Sequence, residues 1–190
     1  MASPLFRGEI RHTEATIYQL FRTQYLSFSQ KRMLVRFVLG LVLVFVAAFT
    51  NLPELLRILL LIAGAWFMVS LDFPGQMNAD QALEVRKGIL PTMSYVFYSN
   101  EMQISGEGSL CMPYKKLILL VQDADYLYLF SGPEAVCMID RSTVKPEDAE
   151  KLMAFLAEKT GLEWKTNKSF FFLNLYDLVQ ILKKGMGKKK

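Results

Sequence analysis

Histidine and cysteine are scarce in this chain: one His and two Cys occur among 190 residues. The single His12 excludes catalytic sites that need His beside Ser or Cys, and metal sites built from several His. Two Cys are too few to cross-link a small secreted scaffold. Cys111 and Cys137 stand 26 positions apart, outside any C-x-x-C motif. We expect both to be free thiols in a reducing compartment.

Charged residues are also few, at 21%. The glycine-rich phosphate-binding motifs G-x-G-x-x-G and G-x-x-x-x-G-K-[ST] are absent from the sequence. Asp123 and Asp125 fall in a predicted turn, where we expect them to be solvated rather than to bind a metal. The sequence therefore predicts no catalytic residue, no cofactor, no metal and no small-molecule substrate.

Apolar residues, by contrast, are abundant, at 52% with a mean hydropathy of +0.23. Two long runs, 34–50 and 55–73, are separated only by a short turn with Pro53. A membrane-spanning helix needs roughly 20 apolar residues, and a domain of the size that remains could not bury both runs. We predict a transmembrane helical hairpin over 34–75. Small residues that would let its helices approach closely are Gly40, Ala47, Ala48, Ala63, Gly64 and Ala65.

Basic residues flank the outer ends of these runs and not the turn between them. Arg22, Lys31, Arg32 and Arg36 precede or open the first run, and Arg86 and Lys87 follow the second. The positive-inside rule then predicts a multi-pass protein of the plasma membrane with both termini in the cytoplasm.

Residues 1–33 are predicted to form a cytoplasmic arm built on an amphipathic helix. Thr13 is a suitable N-cap for a helix that extends to Met33. One face of this helix is apolar, and it would lie either on the bilayer surface or against the cytoplasmic domain. That face comprises Ile17, Leu20, Phe21, Tyr25 and Phe28.

Residues 76–161 change to a pattern of short strands after a linker helix that Pro91 ends. A final helix follows, with Pro146 at its start and Gly161 as its C-cap. Short connections predict an antiparallel meander, a β-barrel or sandwich closed by one α-helix, as in pleckstrin-homology (PH)-like domains. The predicted strands are Thr92–Tyr98, Glu101–Ser105, Ser109–Tyr114, Leu117–Gln122, Tyr126–Phe130 and Ala135–Asp140.

The order of these segments resembles the YcxB-like family of bacterial inner-membrane proteins. The matching stretches are Phe28–Arg36 before the first span, Met112–Leu117 in the domain, and Ile139–Ser142 before the last helix. Tyr114 stands where that family usually has an aromatic residue. The resemblance implies an α+β membrane protein with a hairpin and a C-terminal PH-like domain. It implies no catalytic activity.

Residues 162–190 are predicted to form an amphipathic, basic tail, which either lies in the bilayer interface or packs on the domain. The net charge of +4 is concentrated at the two ends of the chain, which argues against a nucleic-acid-binding domain. The basic residues that we expect to contact anionic lipid are Lys115, Lys116, Lys183, Lys184, Lys188, Lys189 and Lys190.

Three functions follow from these expectations. The first is a non-enzymatic membrane protein whose PH-like domain is a binding platform or scaffold, with a protein partner or a second copy bound at a strand edge. The second is a sensor of anionic lipid that uses the domain and the Lys-rich tail. The third is a structural subunit of a membrane complex.

Overall fold

A computed structural model describes residues 3–71, 73–87, 89–106, 108–146 and 148–166. Of the predicted tail, residues 162–166 are described, and Trp164–Thr166 form a strand that was not predicted. The rest of the tail, with its five lysines, lies outside the described residues. The described chain divides into two compact units. The strand unit comprises residues 3–24 and 79–166, and the hairpin unit comprises residues 25–78.

The described residues form an α+β fold. The helices are α1 (Glu14–Phe28), α2 (Gln30–Phe49), α3 (Glu54–Val69), α4 (Phe73–Arg86) and α5 (Ala149–Thr160). The strands are β1 (Phe6–Arg11), β2 (Thr92–Phe97), β3 (Glu101–Ser105), β4 (Ser109–Pro113), β5 (Leu119–Gln122), β6 (Tyr126–Phe130), β7 (Val136–Asp140) and β8 (Trp164–Thr166).

The strands form two four-stranded sheets, in the orders β1-β2-β3-β4 and β7-β6-β5-β8. The described residues contain no closed barrel. The predicted meander is interrupted between β4 and β5, where the 3-10 turn Tyr114–Lys116 carries the chain from one sheet to the other. The second sheet is mixed, because β8 pairs parallel to β5. The six predicted strands are all present, with ends that differ by at most two residues.

Strand β1 was not predicted, because its sequence FRGEIR carries three charges and offers only Phe6, Gly8 and Ile10 on its inward face. It pairs antiparallel with β2 in the register Phe6↔Phe97. Gly8 is required there, since a Cβ atom would lie 2.8 Å from Cγ2 of Ile139. The N-terminal arm therefore contributes a strand as well as a helix.

The core of the strand unit lies between the sheets and under α5. Phe97, Tyr128 and Phe130 are fully buried, and Leu152 and Leu156 of α5 join them. Tyr114 packs edge to face against Phe155, with ring centroids 5.6 Å apart. Ile17 of α1 is buried and belongs to the strand unit, so the start of the N-terminal helix packs on the domain, one of the two predicted alternatives.

Helix ends follow local hydrogen-bonding chemistry. Thr13 caps α1 as predicted, because its Oγ1 accepts from the amide of Thr16 at 3.3 Å, while Oγ1 of Thr16 accepts from the amide of Thr13 at 2.8 Å. The predicted single helix from Thr13 to Met33 is interrupted at Ser29. The predicted start of α5 at Pro146 was wrong: Asp148 is its N-cap and accepts from the amide of Lys151.

Gly161 ends α5 in the left-handed region, with φ 69°, as the sequence predicted.

Helices α2 and α3 pack together antiparallel through two glycines. A Cβ atom on Gly64 would lie 2.9 Å from the backbone oxygen of Gly40 and 2.7 Å from Cγ2 of Val44. A Cβ atom on Gly40 would lie 3.0 Å from the backbone oxygen of Gly64. The helices thus approach at a distance that side chains would prevent.

We expect Gly64→Leu to destabilise the hairpin unit by about 1–3 kcal/mol, because the added side chain meets the backbone of α2. Ala65→Leu is the matched control, since Ala65 is exposed on the same helix. The measurement is the free energy of unfolding of the full chain in detergent. Equal effects of the two substitutions would contradict the close contact between α2 and α3.

Candidate functional site

Among the described residues, the outward faces of α2 and α3 in the hairpin unit are apolar and exposed. Phe45 is 63% exposed, Ile62 is 62% exposed and Trp66 is 61% exposed. Val35, Phe49 and Leu55 are exposed to a similar degree. A contiguous apolar surface of this kind marks a site of contact with a membrane or with another protein.

One described helix, α2, is long and apolar enough to cross a membrane. Its 20 residues extend about 30 Å, which matches the hydrocarbon core of a bilayer. Only 17% of its most apolar window is buried. Helix α3 has 16 residues, or about 24 Å, and passes the same test only together with α4 across a 60° bend.

The charged residues of the hairpin lie near the helix ends. Arg36 is six residues into α2, about 9 Å from its start, and Arg57 is three residues into α3, about 5 Å from its start. Gly40 lies nine residues before Phe49, about 14 Å along α2. The glycine contact is therefore near the middle of the hairpin, and both Arg side chains are long enough to reach toward its ends.

The two predicted lipid contacts in the strand unit, Lys115 and Lys116, are both exposed on the 3-10 turn Tyr114–Lys116. Neither forms an ion pair with a described residue. Tyr114 fixes this turn, because its buried hydroxyl donates to the carbonyl of Tyr98 at 2.6 Å. Burial raises the pKa of Tyr114, so the hydroxyl stays protonated as a donor. Ile118, which follows the turn, is 50% exposed.

Asp123 is the centre of a hydrogen-bonded cluster rather than the solvated residue we expected. Its Oδ1 accepts from the amides of Asp125 at 2.9 Å and Tyr126 at 2.7 Å. Its Oδ2 accepts from the hydroxyl of buried Tyr128 at 2.7 Å and from Nε2 of Gln19 at 2.9 Å. Asp123 thereby joins α1 to the turn between β5 and β6.

The sequence contained a signal for this cluster. An Asp that opens a turn commonly accepts hydrogen bonds from the amides that follow it. The contact with Gln19 spans 104 residues and has no local signature. Burial raises the pKa of the Tyr128 hydroxyl, and its hydrogen bond to Asp123 acts in the same direction.

Arg141 closes the same end of the strand unit. Its Nη1 donates to the carbonyl of Asp123 at 3.0 Å and to Oε1 of Gln122 at 3.2 Å, and its Nη2 pairs with Glu150. The open depression beside it is lined by acidic side chains, including Asp125 and Asp140. Among the described residues, no group of three or more His, Cys, Asp or Glu side chains is arranged to hold a metal ion.

His12 is half-buried beside Oγ1 of Thr16 at 3.4 Å, and burial, with a smaller contribution from Arg86, lowers its pKa. Both cysteines are free thiols, as predicted. Cys111 is exposed, whereas Cys137 is partly buried, and burial raises the pKa of Cys137 to about 12, which disfavours its reactive thiolate.

No known protein-family model matches the chain, and no curated protein is significantly similar to it. The resemblance to the YcxB-like family therefore stays a prediction from the residues.

We expect Asp123→Ala to destabilise the strand unit by about 1–3 kcal/mol, because the buried Tyr128 hydroxyl loses its acceptor. Asp123→Asn should have a smaller effect, since the amide oxygen can still accept from the turn. Asp125→Ala is the matched control and should have little effect. The measurement is unfolding followed by Trp164 fluorescence in a Trp66→Phe background. An equal loss for Asp125→Ala would contradict the central role of Asp123.

Proposed function

We propose that this chain is a non-enzymatic integral membrane protein that presents a PH-like binding platform at the cytoplasmic face. The observation that carries the proposal is the apolar outer surface of α2 and α3. In water this surface would cost free energy in proportion to its exposed apolar area, whereas hydrocarbon solvates it without that cost.

The low burial of α2 favours this proposal over a soluble helical hairpin. The central helix of a soluble protein is mostly buried, while 17% of the apolar window of α2 is buried. The close contact of Gly40 and Gly64 adds support, since small residues are typical of helix contacts inside membranes. Arg36 and Arg57 near the helix ends are compatible with a bilayer around the segment between them.

The proposed orientation rests on the distribution of Lys and Arg. Basic residues lie in the first two turns of α2 and at the end of α4, while the turn between α2 and α3 has none. We propose that both termini and the strand unit are cytoplasmic and that Asn51 lies on the opposite side. The resemblance to the YcxB-like family agrees with this arrangement.

Labelling with a membrane-impermeant maleimide tests the topology. In sealed cells, we expect Asn51→Cys in a Cys111→Ser background to be labelled, because Asn51 is exposed in the turn. In the otherwise unchanged chain, Cys111 should react only after permeabilisation, and partly buried Cys137 should react more slowly than Cys111. An Asn51→Cys variant that reacts only in permeabilised cells would show that the turn does not reach the far side. Recovery of the chain without detergent would overturn the membrane proposal.

We propose recognition of anionic lipid as a second function, because the fixed 3-10 turn presents Lys115 and Lys116 next to exposed Ile118. A pair of lysines beside an aliphatic side chain suits the headgroup region of an anionic leaflet. Each Lys would contribute about 1 kcal/mol near such a surface.

A fluorophore on Cys111, four residues before Lys115, tests this function in vesicles that contain headgroup quenchers. We expect stronger quenching in anionic than in neutral vesicles, and less quenching at high salt. Lys115→Gln with Lys116→Gln should remove the difference. Lys145→Gln with Lys165→Gln removes the same charge at exposed positions and should preserve it. Identical quenching by all variants would exclude lipid recognition by this turn.

A further inference from the structure

The outer edge of β4 has no partner strand among the described residues. Strand β4 ends the first sheet and pairs only with β3. A strand at the edge of a sheet presents amide and carbonyl groups that can pair with another chain.

The alternation of hydrogen-bonded and non-hydrogen-bonded pairs along the sheet shows which residues of β4 direct their backbone groups to this edge. The amide of Tyr98 donates to Glu101, which makes 98 and 101 a hydrogen-bonded pair. Because such pairs alternate in antiparallel sheets, Met102 and Ile104 direct their backbone groups toward β4, where they meet Met112 and Leu110. The amide of Gly106 donates to the carbonyl of Gly108, in agreement with this alternation.

The alternate residues of β4 therefore direct their backbone groups outward. These are Ser109, Cys111 and Pro113. Ser109 and Cys111 each offer an amide and a carbonyl. Pro113 offers a carbonyl only, because it has no amide hydrogen.

The outer edge of β1, at the other end of the same sheet, is covered. The amide of Arg7 donates to Lys145 at 2.7 Å, and the amide of Lys145 donates to Arg7 at 2.9 Å. The amide of Glu9 donates to Oγ1 of Thr143, which in turn donates to the carbonyl of Glu9, both at 2.9 Å. The described residues thus satisfy one edge of this sheet and leave the β4 edge without a partner strand.

Strand β4 is protected at its open edge only by its short length and by Pro113 at its end, and not by charge. Its sequence SLCMP has no charged residue, although charges on edge strands are a common device against association. Leu110 is 61% exposed and Cys111 is exposed, so the two faces of the strand are both accessible at this end.

We infer that β4 pairs antiparallel with β4 of a second copy of this chain, about a two-fold axis at Cys111. In this register the two Cys111 residues exchange both of their hydrogen bonds. The amide of each Ser109 donates to the carbonyl of Pro113 in the other copy. Every outward amide of the strand then has an acceptor. Because Pro113 has no amide hydrogen, only the carbonyl of Ser109 is left without a donor from the other copy.

Self-pairing is favoured over a charged peptide because β4 is uncharged and complementary to itself in this register. The pairing is short, since β4 has five residues. It should therefore be reversible and depend on concentration. It does not require the hairpin to span a membrane, so the two proposals can fail separately.

Cross-linking of Cys111 with a short bifunctional maleimide tests the inference on the full chain. The register brings the two Cys111 Cα atoms to about 5.5 Å. We expect a covalent dimer from the unchanged chain and from Cys137→Ser, and none from Cys111→Ser. Membrane and soluble fractions are analysed separately, so that the location of the chain is read independently of its pairing.

Ser109→Pro is the decisive variant, because it removes an outward amide while leaving the amides that pair with β3 in place. Proline is tolerated at the first residue of a strand. Ser109→Ala is the matched control: both substitutions lose the hydrogen bond from Gln103 to Oγ of Ser109. We expect Ser109→Pro to lower the dimer yield by about tenfold at limiting concentration, since both Ser109 to Pro113 bonds are lost.

Two further measurements keep the result interpretable. A monofunctional maleimide should label Cys111 equally in both variants, and their circular-dichroism melting curves should coincide. Equal dimer yields from Ser109→Pro and Ser109→Ala would overturn the inference. So would the absence of a dimer at high concentration, or a cross-linked product whose mass is not that of two copies. If Ser109→Pro alters folding, Leu110→Lys, which places a charge on the exposed end of the strand, must lower the yield relative to Leu110→Gln.

Discussion

The exposed apolar surface of α2 and α3 is the constraint on which the proposed membrane location of this protein depends. Gly40 and Gly64 let the two helices share one narrow interface, and this leaves the remaining faces of both helices outward. Side chains such as Phe45 and Trp66 then need an apolar solvent or a large protein surface. A bilayer provides the first without any further partner, which is why we prefer it.

The strand unit is held together by contacts that cross long intervals of sequence. Asp123 binds Gln19 of α1, and β1 completes the first sheet beside β2. Arg141 adds a second connection to the carbonyl of Asp123. The helix that leads toward the hairpin is thus an integral part of the strand unit, rather than an arm attached to it.

Sequence reasoning recovered the elements with strong local signals. Alternating residues and turn signals identified the six strands from Thr92 to Asp140, and Gly161 identified the end of α5. It missed β1, whose charged residues point outward from a single buried face, and it misjudged Asp123, whose partners Gln19 and Tyr128 come from elsewhere in the fold. The open edge of β4 was equally out of reach, because which strand ends a sheet depends on pairing between distant segments.

The split of the strand unit has a consequence for the order of events during synthesis. Phe6 leaves the ribosome 91 residues before Phe97, its neighbour in the sheet, so β1 must wait while the entire hairpin is made. Pairing β1 with β2 closes a long loop, and the entropic cost of loop closure grows with loop length. Because α2 and α3 are antiparallel, α3 brings the chain back toward the end of the hairpin where α2 begins, which reduces this cost. Until β2 emerges, Ile10 has no hydrophobic core to pack into. Strand β1 therefore stays accessible to other chains during this part of synthesis.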